Sequence, residues 1–138
     1  MTSARAGSPR ILLVTTEIAC LPEGIAANAR QIKIGSGQLA NTSASIVTTL
    51  FQHGANIHVA LPNFRRLFTT ECRPTSAHKF SDRVAVHDER VHLAQDRNLF
   101  YWYPQPSEHM IDDLQISLAF QREVINHIVP IVQPDLIH

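Results

Sequence analysis

The run Ile11-Leu12-Leu13-Val14-Thr15-Thr16 is apolar or β-branched at every position. A strand with one wet face alternates polar and apolar side chains, and this run offers no wet face. It suits a strand covered on both sides, as in a parallel sheet whose crossover helices lie above and below. The rest of the chain must then supply those helices.

Leu39, Ser43, Ile46, Val47, Leu50 and Phe51 recur at helical spacing, and Gly54 follows as a C-terminal cap. Residues 57–61 form a second strand, ended by Pro62. Between the first strand and the helix, residues 17–34 hold Pro22 and Gly24 and read as a long loop with a helical turn around Ala26 to Arg30. Shorter strands are expected near 83–87, 90–94 and 98–103, the last with Trp102 half-buried between Tyr101 and Tyr103. Ile111, Leu114, Leu118, Ile125, Ile128 and Val129 mark one face of a long helix from Glu108 to Val129, closed by Pro130. Strand, helix, strand, a β-rich excursion, helix and strand predict an α/β fold with an open, mostly parallel sheet and flanking helices. Residues 1–9 read as a disordered tail and 10–138 as one domain, long enough to bury roughly two-thirds of its unfolded surface.

Charge narrows the function. Lys plus Arg and Asp plus Glu each number 12, so the formal net charge is zero and nothing signals a general polyanion binder such as a DNA-coating protein. The arginines Arg65, Arg66 and Arg73 read as a solvated basic loop. Arg5 and Arg10 precede an apolar run in the manner of a signal peptide, but Glu17 interrupts that run early. No stretch approaches the ~18 uninterrupted apolar residues of a membrane span. Cys20 and Cys72 are far apart and match no metal-ligand spacing, so they read as reduced thiols of a cytoplasmic protein. Eight histidines raise the question of a metal site. The pairs His53/His58 and His87/His92 have a spacing that does not align on one helix face, and no Cys or carboxylate cluster completes a site, so no metal is expected.

The stretch Lys33-Ile34-Gly35-Ser36-Gly37-Gln38-Leu39-Ala40-Asn41 carries the chemistry. Two glycines admit positive φ and a close ligand approach just ahead of a helix. The first turn of that helix offers unpaired N–H groups and a partial positive charge, and Lys33 adds a full one. Together they suit a phosphorylated ligand such as a sugar diphosphate.

These segments, in order, resemble the N-terminal half of bacterial glycogen synthases and plant starch synthases. Ile11 to Ala19 is similar to the family's first strand ending in T/S-x-E, and Lys33 to Asn41 to its K-x-G-G-L-A/G-D-V loop. Gly54-Ala55-Asn56-Ile57-His58-Val59-Ala60-Leu61-Pro62-Asn63-Phe64 resembles G-H-x-V-x-V-x-L-P-x-Y/F, and Pro134-Asp135-Leu136-Ile137-His138 resembles the P-D-I-I-H that precedes an H-D-W motif. The resemblance spans the chain from Arg10 onward. It implies an incomplete, Rossmann-like N-terminal domain of a two-domain GT-B fold, cut short inside its last strand. It implies a retaining glucosyltransferase that moves glucose from ADP-glucose or UDP-glucose to an α-1,4-glucan, with no cofactor. On the same ground Lys33, Gly35, Ser36 and Gly37 would hold the donor's diphosphate, and Glu17 and Asp112 would be catalytic. The missing C-terminal domain is an implied partner, and this chain alone is expected to be inactive. Ser36 and Gln38 alter the glycine loop with a one-residue insertion, Asn41 and Thr42 replace the usual Asp and Val, and Asp113, Ile116 and Ser117 depart from the Y-x-D-N-x-x-R-F segment around Asp112.

Blander readings stand beside these. Glu17 could cap a neighbouring helix, and Asp112 could be a charge favoured by a helix dipole. Two other functions compete. Gly35 to Ala40 formally fits the G-x-G-x-x-A of NAD-dependent oxidoreductases, but residues 17–34 separate it from its strand, and Pro62-Asn63-Phe64 stands where a ribose-binding acid should be. The other is a non-catalytic module that binds nucleotide or glucan.

Overall fold

Both faces of the sheet are covered, which is why residues 11–14 carry no polar alternation. The computed structural model describes residues 7–27, 29–32, 35, 37–64, 87–100 and 110–138. The expectations for Lys33, Ser36, Arg65, Arg66, Cys72, Arg73, residues 83–86 and residues 101–103 lie outside these.

In chain order the elements are β1 (Arg10–Val14), a 3-10 turn (Ala29–Gln31), α1 (Gln38–Gln52), β2 (Asn56–Pro62), β3 (His87–Asp88) and β4 (Val91–Ala94). Then follow α2 (Arg97–Phe100), α3 (Met110–Glu123), a π-turn (Val124–Ile128), α4 (Val129–Val132) and β5 (Leu136–Ile137). The sheet order is β3-β4-β2-β1-β5. Strands β4, β2, β1 and β5 run parallel, with Val14 opposite Ala60, Leu61 opposite Leu93 and Ile11 opposite Leu136. Among the described strands only the two-residue β3 is antiparallel, paired with the start of β4. The fold is α/β, as the apolar runs require.

One core lies on the α1 face, where Leu13, Ile57, Val59, Leu61, Val91 and Leu93 meet Val47, Ile18 and Ile25. The other lies under α3 to α4, where Leu12, Ala60 and Ala94 meet Phe120, Val124, Ile128 and Val132. Successive strand residues thus alternate between two apolar layers rather than between core and water. Helix α1 ends as expected: Gly54 takes φ +78°, and the N–H groups of Gly54 and Ala55 reach the carbonyls of Phe51 and Leu50 at 3.0 and 2.9 Å.

The long C-terminal helix departs from its expected face and end. Leu114, Leu118 and Ile125 are exposed, whereas Ala119, Phe120, Val124, Ile128 and Val132 are buried. The π-turn shifts the phase of the residues beyond it, whereas Leu114 and Leu118 lie ahead of it and turn outward because Ala119 and Phe120 pack into the core under the sheet. Pro130 does not close the helix. It occupies the opening of α4, where a missing N–H is tolerated, and the helix ends at Gln133 in the left-handed region, φ +48°. Leu39, expected on the packed face of α1, is also exposed, and Ala40 and Ala44 are buried instead. Residues 97–100 are helical rather than extended, because Asp96 accepts the Asn98 N–H at 2.8 Å and caps the turn. The Asp96 carboxylate also meets Arg122 at 2.6 Å, tying the segment after β4 to α3.

Sequence spacing paired His58 with His53 and His92 with His87, but the sheet stacks His58 on His92. Their rings lie 5.3 Å apart at 19°, with Nδ1 of His58 3.0 Å from Nε2 of His92. Burial, then the charges of Arg10 and Arg90, hold His58 below the ordinary histidine value of about 6.5. The unfolded chain therefore takes up this proton first as pH falls. The stabilising contribution is complete above about pH 6.5 and is lost below it, until folded His58 itself titrates. The expected result is a lower urea midpoint at pH 5 than at pH 7.5, with His58→Leu flattening the difference. An equal drop in both proteins would exonerate His58. Asp96 acts lower on the scale. The Asn98 N–H, aided by Arg122, keeps its carboxyl below the ordinary value, so its contribution is lost only in stronger acid.

Candidate functional site at the carboxyl edge of the sheet

Numbered along the chain, the four parallel strands have the spatial order third, second, first, fourth. The order reverses between β1 and β5, and in such sheets the crevice for a ligand opens beyond the carboxyl ends of the strands at that reversal. Here those ends are Val14 and Ile137. They are laced together by the Val14 N–H on the His138 carbonyl at 2.8 Å and the His138 N–H on the Leu12 carbonyl at 2.9 Å.

Just past β1 the chain is held down by side-chain bonds. The Thr15 hydroxyl donates to the Glu17 carbonyl at 2.9 Å and lies 3.0 Å from the Ser43 hydroxyl of α1, a buried contact. The Ala19 N–H reaches the Ala40 carbonyl in the first turn of α1 at 3.0 Å. Ser43, which the spacing placed on the packed face of α1, is thus a polar tie between helix and strand end. These bonds bring the mouth of α1 against the reversal point.

That mouth is uncapped. Gly37 stands at the N-cap in an extended conformation with no side-chain hydrogen bond, and the first turn carries no acidic residue. The N–H groups of the first turn are thus left for water or a ligand. Two residues earlier Gly35 adopts φ +82°, a conformation that favours glycine. A β-carbon there would lie 3.1 Å from both Cδ and Oε2 of Glu17. The structure therefore brings Glu17, Gly35 and Gly37 together, although Glu17 and Gly35 are eighteen positions apart in the chain. Glu17 is half-buried, with its carboxyl group packed on the Gly35 backbone.

Asp112 is elsewhere. It lies in the first turn of α3, whose later turns pack on the face opposite α1. Both helices start at the carboxyl edge of the sheet, but on opposite sides of it. Among the described residues no group of three His, Cys, Asp or Glu is arranged to hold a metal ion. No helix among them is long and apolar enough to cross a membrane. Sequence reasoning missed the His58–His92 stack, which depends on the register of β2 against β4.

No protein-family model, curated protein or solved structure matches this chain. What the site can do must be argued from its own geometry: an uncapped helix mouth, glycines free of side chains, and one carboxylate at the edge of a crevice.

Proposed function

We propose that the chain forms the Rossmann-like first domain of a GT-B-type retaining glucosyltransferase, similar to glycogen and starch synthases, acting in the cytoplasm on a sugar nucleotide and an α-glucan. The observation that carries this reading is the meeting of Glu17 with the Gly35–Gly37 loop at the mouth of α1, beside the reversal of strand order. In glucosyl transfer a nucleoside diphosphate leaves with growing negative charge while the sugar becomes cationic. Dipoles and cations fixed in advance where that charge develops lower the barrier most. The N–H groups of the first turn of α1, with the backbone of Gly35 and Gly37, would meet the departing diphosphate, and the resemblance alone assigns Lys33 and Ser36 to the same group. Glu17, a carboxylate on the rim, fits the cationic sugar or the acceptor hydroxyl. Asp112 keeps the catalytic role that the resemblance implies for it, at the start of α3.

The donor's remaining contacts would come from a second domain, whose closure excludes water. The domain alone should bind donor and transfer nothing. The oxidoreductase reading is disfavoured by the long path from Val14 to Gln38, since a dinucleotide fold needs its glycines in one tight strand-to-helix turn.

Calorimetry with ADP-glucose, UDP-glucose and NAD tests the proposal. Sugar-nucleotide binding should weaken about tenfold or more in Lys33→Ala, as expected for loss of a charge-assisted contact of about 1.5–3 kcal/mol. Binding indifferent to Lys33, or a preference for NAD, would discard the reading. Donor binding that never leads to transfer when a second domain is supplied would leave a non-catalytic module.

A further inference from the structure

The Glu123 side chain is only 15% exposed, yet among the described residues its carboxylate accepts no hydrogen bond. His127 Nε2, one helical turn on, stands 3.8 Å away, too far to donate. Arg122, next to Glu123 in the chain, gives its guanidinium to Asp96 at 2.6 Å instead. A largely covered carboxylate normally collects several donors, because oxygens withdrawn from water without them are costly. The donor that completes Glu123 must come from the side on which it opens.

That side is a groove of about 610 Å³ on the sheet face opposite α1, between the carboxyl end of β4 and the π-turn. Its volume suits a small molecule. Gln95 and Asn126 line it with amides whose oxygens accept, and Pro130 and Ile131 add an apolar wall, with Ile131 54% exposed. Among the described residues that line it, none is Lys or Arg. A phosphate or carboxylate ligand would be repelled by Glu123, and a neutral polyol would leave its charge unanswered. An alkylammonium fits each part of the groove. Its N–H groups donate to the carboxylate and the amide oxygens, and it has no acceptor to leave unsatisfied. Its methylenes can lie on Pro130 and Ile131.

We propose that this groove binds a small alkylammonium ligand of the diamine or polyamine class, with the ammonium on Glu123 and the alkyl chain along Pro130 and Ile131. The groove lies across the sheet from the mouth of α1, and the proposal does not rest on the donor site there.

The test is a backbone-amide NMR titration of the full chain with cadaverine, beside 1,5-pentanediol as its neutral counterpart. Cadaverine should give saturable shifts centred on Gln95, Asn126 and His127, and the diol none. Glu123→Gln should weaken cadaverine about tenfold or more, as expected for loss of a charge-assisted contact. Ile131→Ala should weaken it about threefold or more by removing methylene contacts. Glu123→Gln should also leave the urea midpoint no lower than before, because the carboxylate has no bonded partner to lose. A lowered midpoint would assign Glu123 to the helix, through His127, and overturn the proposal. So would a lack of saturable cadaverine binding, an equal response to the diol, shifts spread evenly over exposed carboxylates such as Glu89 and Asp135, or an affinity indifferent to Glu123→Gln.

Discussion

Replacing Gly35 by valine is expected to destabilise the protein by about 1–3 kcal/mol and to abolish measurable sugar-nucleotide binding. Two independent effects combine. At φ +82° any L-residue is strained, and a β-branched one most of all. The new β-carbon would also stand 3.1 Å from Cδ and Oε2 of Glu17. The carboxyl group is the far end of a flexible side chain and can move, so the steric part is relievable while the backbone part is not. A double-mutant cycle with Gly35→Ala and Glu17→Ala separates them. The double variant should recover part of the stability lost in Gly35→Ala, and that recovered part measures the contact. Additive losses would mean that Glu17 and Gly35 do not touch in solution. Glu17→Gln adds a functional contrast. Removing a negative charge beside the helix mouth should tighten bare pyrophosphate binding, whereas loss of a structural prop would weaken it.

The residues that made the sheet legible are those whose surroundings are the same on both sides. Leu12, Leu13, Ile57 and Val59 needed no face assignment, since either face is apolar. Helix α1 was legible because a glycine stops it where the apolar spacing ends. Failures occurred where a short-range bond outweighed the pattern. The Asp96 cap made 97–100 a helical turn, overlapping the start of the strand expected at 98–103, and Asp96 ahead of Arg97 was the signal available for it. In the C-terminal helix Leu118 faces outward and Phe120 inward, both ahead of the π-turn, so the buried face there is set by packing on the sheet and not by helical spacing alone. The site was half legible. Its glycines and the helix behind them are a local pattern, but the packing of Glu17 on Gly35 depends on how residues 17–34 fold back, and no local rule dictates that path. The His58–His92 stack likewise needed the register of β2 against β4, which only tertiary packing sets.

The second large effect should come from the middle of β1. Leu12→Ala is expected to cost about 2–5 kcal/mol, the usual range for emptying a packed leucine site. Leu12 is fully buried, its neighbours in register are His58 on one side and Ile137 on the other, and its carbonyl takes the His138 N–H. Its side chain belongs to the layer formed with Phe120, Val124, Ile128 and Val132, and these helical residues are fixed by their own packing and cannot all shift inward. Ile137 provides the control. It sits one strand away but is 53% exposed, so Ile137→Ala should cost well under 1 kcal/mol by the same measurement. Against a total stability of roughly 5–15 kcal/mol, the first loss leaves little margin and the second is hardly felt. The contrast bears on the site as well, because β1 delivers Thr15 to Ser43 and Glu17 to Gly35. A sheet loosened at Leu12 should weaken ligand binding at the mouth of α1 without any change to a residue there. Equal costs for the two substitutions in urea unfolding would mean that β1 is not covered on both faces, and the crevice argued from its carboxyl end would lose its floor.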